Sequence, residues 1–138
     1  MKIPPLGISL LWIVLSTGCA FDVVSVHQTP AAFTLAPDST DDDFVLQEPV
    51  KVLLGTGFPT YLEAGTHWHR VGRIQYGTVY KTRDQVVTVE ASNIYEAQLV
   101  VENQMIQGFY LPVEKTFASA KEPIRIITKP ISTDNKTP

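Results

Sequence analysis

The chain has 138 residues, a single cysteine and a formal net charge of −3 at pH 7. That length gives one small domain with little to spare, and one cysteine excludes a disulfide framework within the chain. A mildly acidic chain without a basic run has little attraction for nucleic acid or anionic lipid, so neither is an expected partner.

The first element is an address. Met1 and Lys2 give a short positive start, and the uncharged stretch that follows is densest in apolar residues from Leu10 to Leu15. Small residues then lead to Cys19: Ser16, Thr17 and Gly18. This is the layout of an export signal, and it is too short for a membrane-spanning helix, which needs about 20 apolar residues. The run Leu15-Ser16-Thr17-Gly18-Cys19 resembles the lipobox of bacterial lipoproteins, departing from it at Ser16, where leucine is commonest. The resemblance implies cleavage after residue 18, acyl chains on Cys19 and anchoring in the cell envelope. Two or more acyl chains suffice for a stable anchor, where one does not. By the same resemblance, Ala20 after the cysteine implies sorting to the outer membrane, facing the periplasm. Lipid also accounts for a lone cysteine in an exported chain, where a free thiol is at risk.

Residues 19–43 read as a lipidated tether. Pro30, Pro37 and the acids Asp41, Asp42 and Asp43 disfavour regular structure. Three consecutive acids lack the spaced oxygens and glycine turn of a calcium loop, and they read as a solvated linker.

From Phe44 the texture changes to β-branched and aromatic residues with turn residues every 8–12 positions, the signature of an all-β sandwich or barrel. Val50–Leu54 reads as a strand ended by Gly55-Thr56-Gly57, and Pro59–Leu62 as a short edge strand before a turn at Glu63-Ala64-Gly65. Thr66–Ile74 and Thr78–Lys81 are strands around a turn at Tyr76-Gly77, and Arg83-Asp84 is the next turn. Val87, Val89 and Ala91 alternate with polar residues, as do Tyr95, Ala97, Leu99 and Val101, so each set turns one way toward a core. The segment 93–101 also fits a helical period through Ile94, Ala97, Gln98 and Val101, which leaves helix and strand both open there. Asn103-Gln104 reads as a hairpin turn. Met105–Leu111 is the returning strand, with Gly108 marking a bulge or close packing, and Pro112 ends it. Ile124–Ile127 is the last expected strand, and residues 129–138 read as a disordered tail. The expectation is a small antiparallel barrel or sandwich of about five to seven short strands over residues 44–128.

The most suggestive chemistry is His67-Trp68-His69. In a strand the two histidines share a face roughly 7 Å apart, and a third ligand such as Glu63 or Glu90 would be needed for a metal. No third ligand is specified, so the reading is two histidines on the wet face with Trp68 turned into the core, and neither a metal nor a cofactor is expected. Phe109 and Tyr110 are neighbours, so in a strand they face opposite sides. If one face is wet, one of them is free to anchor a partner or a sugar. Trp68, His67, His69, Phe109 and Tyr110 are therefore the candidate contact residues. The sequence has no G-x-S-x-G elbow, no Lys-Ser/Thr after Gly55-Thr56-Gly57 to make a phosphate loop, and no carboxylate pair placed across a cleft. An enzyme is not expected. The sequence reads as a non-catalytic, membrane-anchored envelope lipoprotein, an accessory or assembly subunit that binds another envelope protein. The alternative is a periplasmic module binding peptidoglycan, a sugar or a metal.

Overall fold

The computed structural model describes residues 23–131, so the export signal and Cys19 lie outside the described residues, as do residues 132–138. The described chain is all β. In order the strands are β1 (Thr29–Pro30), β2 (Thr34–Leu35), β3 (Phe44–Leu46), β4 (Val50–Leu53), β5 (Pro59–Leu62), β6 (His67–Ile74) and β7 (Gly77–Thr82). After them come β8 (Thr88–Glu90), β9 (Ile94–Glu96), β10 (Gln98–Glu102), β11 (Met105–Leu111), β12 (Thr116–Arg125) and β13 (Thr128–Pro130). The segment 93–101, open between helix and strand in the sequence, is strand. Tyr95, Ala97, Leu99 and Val101 all turn toward the core.

One antiparallel sheet dominates, in the order β1-β12-β11-β10-β7-β6-β3-β13, with β2 paired to β6 beside that path. The order has two ends and does not close, so the domain is sandwich-like and not a closed barrel. Two small hairpins, β4–β5 and β8–β9, send Val50, Val52, Leu62 and Val89 into one cluster with Leu46, Trp68, Leu99 and Phe109 of the main sheet. They form the second layer over one face.

The other face is covered as well. Ile74, Val79, Val100, Tyr110 and Phe117 make a separate buried cluster, joined by Ala31, Val71 and Tyr76. Register fixes which residue goes where: Leu99 lies opposite Phe109 and Tyr80 on the first face, while Val100 lies opposite Val79 on the second. Because both faces bury apolar side chains, the neighbouring pairs Val79/Tyr80, Leu99/Val100 and Phe109/Tyr110 are buried together, the pattern of a strand covered on both sides. This corrects the expectation that Phe109 or Tyr110 stands free to meet a partner.

The cover on the second face comes from residues placed in the tether by their composition. Thr29 and Pro30 pair with Phe117 and Thr116, and Thr34 and Leu35 pair with Arg73 and Gly72. Phe33 stacks on Tyr110 with ring centroids 5.2 Å apart, while Val26 is buried in the cluster of the first face. Residues 23–43 are thus a strap across the domain. The reason is physical: proline is compatible with an edge position, where its missing N–H faces away from the ladder, and Val26 and Phe33 supply enough apolar area to hold the segment. At the other end, Lys129 and Pro130 belong to β13 and pair with Val45 and Phe44, so the packed domain extends past residue 128.

The long strand β12 lies mostly where no strand is expected: of the expected last strand, Ile124–Ile127, only Ile124 and Arg125 are strand, and they end an element that begins at Thr116. Ala118, Ser119 and Ala120 carry weak strand preference and Pro123 opposes it. Two features compensate. Gly108 lets β12 close on β11, since a Cβ there would collide with the carbonyl of Ala118. The register shift between Ile106 and Gly108, which pair with Ile124 and Ser119, then places Pro123 in a bulge with no ladder donor required of it.

Candidate functional site

The wet face of β6 is set by its alternation. Trp68 turns inward and is fully buried, its indole N–H donating to Thr66 Oγ1 at 2.8 Å, while the Thr66 hydroxyl donates to the carbonyl of Glu63 at 2.7 Å. His67 and His69 turn outward, each about half exposed. The arrangement of the three residues is the one their spacing implies, and Trp68 is thereby a core residue unable to contact a partner directly.

Each histidine carries a carboxylate. Asp84 accepts from the His67 backbone N–H at 2.6 Å and from its Nδ1 at 3.0 Å. These two bonds, the backbone one foremost, hold the Asp84 carboxyl below its ordinary range. Asp43 accepts from His69 Nδ1 at 2.8 Å and from the Arg70 N–H at 2.9 Å. Its side chain is almost wholly buried, and these partners satisfy both of its oxygens. Next to it, Asp42 pairs with Arg70 Nη1 at 2.6 Å. Asp42 and Asp43 are therefore no solvated linker but the clasp joining the end of the strap to β6, a role that depends on β3 lying beside β6 and leaves no mark in the local sequence, while Asp41 is exposed.

The two imidazoles do not converge. Asp84 follows β7 and Asp43 precedes β3, and β6 lies between those strands, so the Nδ1 atoms are drawn toward carboxylates on opposite sides. Among the described residues no group of three His, Cys, Asp or Glu side chains is placed to hold a metal ion, and neither Glu63 nor Glu90 completes a site with the histidines.

A different surface gathers exposed apolar side chains. In the β4–β5 hairpin Lys51 lies opposite Tyr61 and Leu53 opposite Pro59. The inward residues Val50, Val52, Thr60 and Leu62 are buried, so these four occupy the outer face. Tyr61 is 60% exposed, and Phe58, at the entrance to β5, 45%. Leu53 continues the surface into a groove shared with Ile124 of β12 and flanked by Lys51, Lys121 and Glu122. Strict alternation of Val50, Val52 and Leu54 inward was the available signal, since it forces Lys51 and Leu53 outward. What the sequence does not display is that β4–β5 stands as a separate hairpin with this face uncovered among the described residues.

Comparison with models of protein families, with curated proteins and with solved structures finds no match to this chain.

Proposed function

We propose that this chain is a lipid-anchored envelope protein, held by acyl chains on Cys19, and that its β domain is a non-catalytic accessory subunit docking another envelope protein. The reading of the address comes from the resemblance of Leu15–Cys19 to a lipobox, and outer-membrane sorting from Ala20 after the cysteine. The observation that carries the docking half is the outer face of β4–β5. Leu53, Phe58, Pro59 and Tyr61 bring two aromatic rings and two aliphatic groups together on a hairpin whose inner face is already used by the core. Contiguous exposed apolar surface marks interaction sites, and tyrosine is among the residues that most often dominate binding energy, because it offers a large rigid surface with a polar tip. Lys51, Lys121 and Glu122 flank the groove beside the patch, two cations to one anion, which suits a partner presenting an apolar anchor with a net acidic surround.

Tagged pull-down from gently solubilised envelopes tests the reading. Wild type, Cys19→Ala and the double variant Phe58→Ala/Tyr61→Ala are compared. The expected result is a specific partner retained by wild type, depleted when the anchor is removed, and lost in the double variant despite normal membrane placement. Identical partner profiles for the double variant and wild type would remove the docking face, and a Cys19→Ala chain that still partitions with membranes would remove the anchor.

A further inference from the structure

The strap shortens the path between domain and anchor. A tether over residues 19–43 would reach roughly 80–90 Å when extended. Instead the chain is fixed to the domain from Val24 onward. The Ser92 N–H, in the turn between β8 and β9, donates to the Val24 carbonyl at 2.9 Å, and Val26 is buried in the cluster against which Ala91 and Tyr95 pack. Five peptide links separate Cys19 from Val24, and five residues span at most about 18 Å even when fully extended.

That reach is short on the scale of the domain. A domain of this size has a radius of gyration of about 13 Å, hence a width of roughly 30–35 Å. Acyl chains in the hydrocarbon hold a lipidated cysteine in the headgroup layer, which is roughly 5–8 Å deep on each side of the bilayer, so part of the reach lies within that layer. The β8–β9 turn thus stays within about a third of the domain's width from the bilayer surface.

The side chains at this end suit the placement. Val23, one residue before the fixed carbonyl, is 73% exposed, and Ile94, two residues beyond the Ser92 amide, 71%. Val89 is buried and Tyr95 packs against the core, so Ile94 stands on the outer side of the hairpin, opposite Glu90 in register. From Val23 to Thr29 the chain has no Lys, Arg, Asp or Glu, and from Val86 to Ala97 only Glu90 and Glu96. Without a cation this end has no attraction for anionic lipid. Exposed apolar groups beside carboxylates fit a zwitterionic surface, whose ethanolamine ammonium groups are available to Glu90.

We infer that, with Cys19 as the lipid anchor of the functional reading above, Val23 and the β8–β9 turn form the membrane-facing surface of the domain and rest on zwitterionic phospholipid headgroups. The strap is then a positioning device: by fixing Val24 it turns a long leash into a short one and sets which end of the domain meets the bilayer. Leu35, 78% exposed, provides the comparison position. It belongs to the cover of the opposite sheet face, and layers packed about 10 Å apart separate it from β8–β9.

The test uses the full-length lipidated chain in phosphatidylethanolamine-rich vesicles. With Cys19 acylated, the cysteine of Ile94→Cys, Val23→Cys or Leu35→Cys is the only free thiol and takes a nitrobenzoxadiazole label. The expected result is blue-shifted emission and quenching by headgroup-borne nitroxide at positions 94 and 23, with loss of both at 35. An insert of about 20 Gly and Ser residues between Asp22 and Val23 adds roughly 25 Å of mean reach and should lower quenching at 94 to the level at 35. Vesicle flotation separates the two claims. A chain that does not float refutes the anchor itself. A chain that floats but is quenched equally at 94 and 35, or at neither, overturns the membrane-facing surface and leaves the anchor standing. Quenching at 94 unchanged by the insert, or seen only with anionic lipid, would also overturn it.

Discussion

The ring of Phe33 lies on the ring of Tyr110, 14° from parallel and 5.2 Å between centroids, and its far edge fills the space that any side chain at Gly72 would occupy. A residue outside the expected domain thereby covers Tyr110, one of the pair of aromatics of which one would be free if a sheet face were wet. Both departures from the sequence-level reading, a strap in place of a tether and a doubly covered sheet, are the same contact seen from its two ends.

Phe33→Ala should lower the unfolding free energy by about 1–2 kcal/mol, the value of a partly buried aromatic with one stacking partner. Gly72→Val should do at least as much by lifting Phe33 from its seat. Chemical denaturation measures both. Hydrogen exchange at Thr34 and Leu35 should accelerate in each variant more than exchange at Leu99 or Phe109.

Asp43→Ala removes the acceptor for His69 Nδ1 and for the Arg70 N–H, leaving donors without a partner beside a buried site. A loss of about 1–3 kcal/mol is expected, larger than for His69→Ala, which leaves Asp43 bonded to Arg70 N–H. Denaturant midpoints of the two variants and the double mutant give the coupling directly.

Asp84 bears on acid stability. Its carboxyl is held below the ordinary range, so it favours the folded state above the pH at which an unfolded aspartate titrates, and the contribution disappears as pH falls through the lower, folded value. Asp84→Asn should therefore be less stable than wild type near neutral pH. The two melting temperatures should converge as pH drops below the usual carboxylate range. Parallel melting curves across that range would refute the assignment.

Asn103 and Gln104 both have positive φ, 51° and 60°, as a two-residue hairpin turn of this hand requires. Asparagine tolerates that conformation and glutamine does so poorly. Gln104→Gly should raise stability by about 0.5–1 kcal/mol in thermal or chemical unfolding.

Much of the fold is legible in the residues because it is written locally. The alternation at Val87–Ala91 and Tyr95–Val101, the turns at Gly55–Gly57, Arg83–Asp84 and Asn103–Gln104, and the bulge at Gly108 each depend on a few neighbouring side chains. The inward turn of Trp68 and the outward turn of His67 and His69 follow from a period of two. What depends on distant partners is not legible. Thr29, Pro30, Thr34 and Leu35 gain their strand pairing only from β12 and β6, and Asp43 gains its role only from His69. The alanines of β12 hold their place because Gly108 lets that strand approach. The outer face of β4–β5 was half visible, since alternation points Lys51 and Leu53 outward, but its isolation as a separate hairpin arises from topology.

The docking face is the claim on which the functional reading rests, and site-specific photocrosslinking in intact cells tests it most directly. A benzophenone amino acid replaces Tyr61 in one strain and Val113, which is 74% exposed in the β11–β12 turn, in another. The expected result is a discrete crosslinked product to one envelope protein from position 61 and none from position 113. No product from position 61, or the same product from both positions, would contradict a docking face on β4–β5.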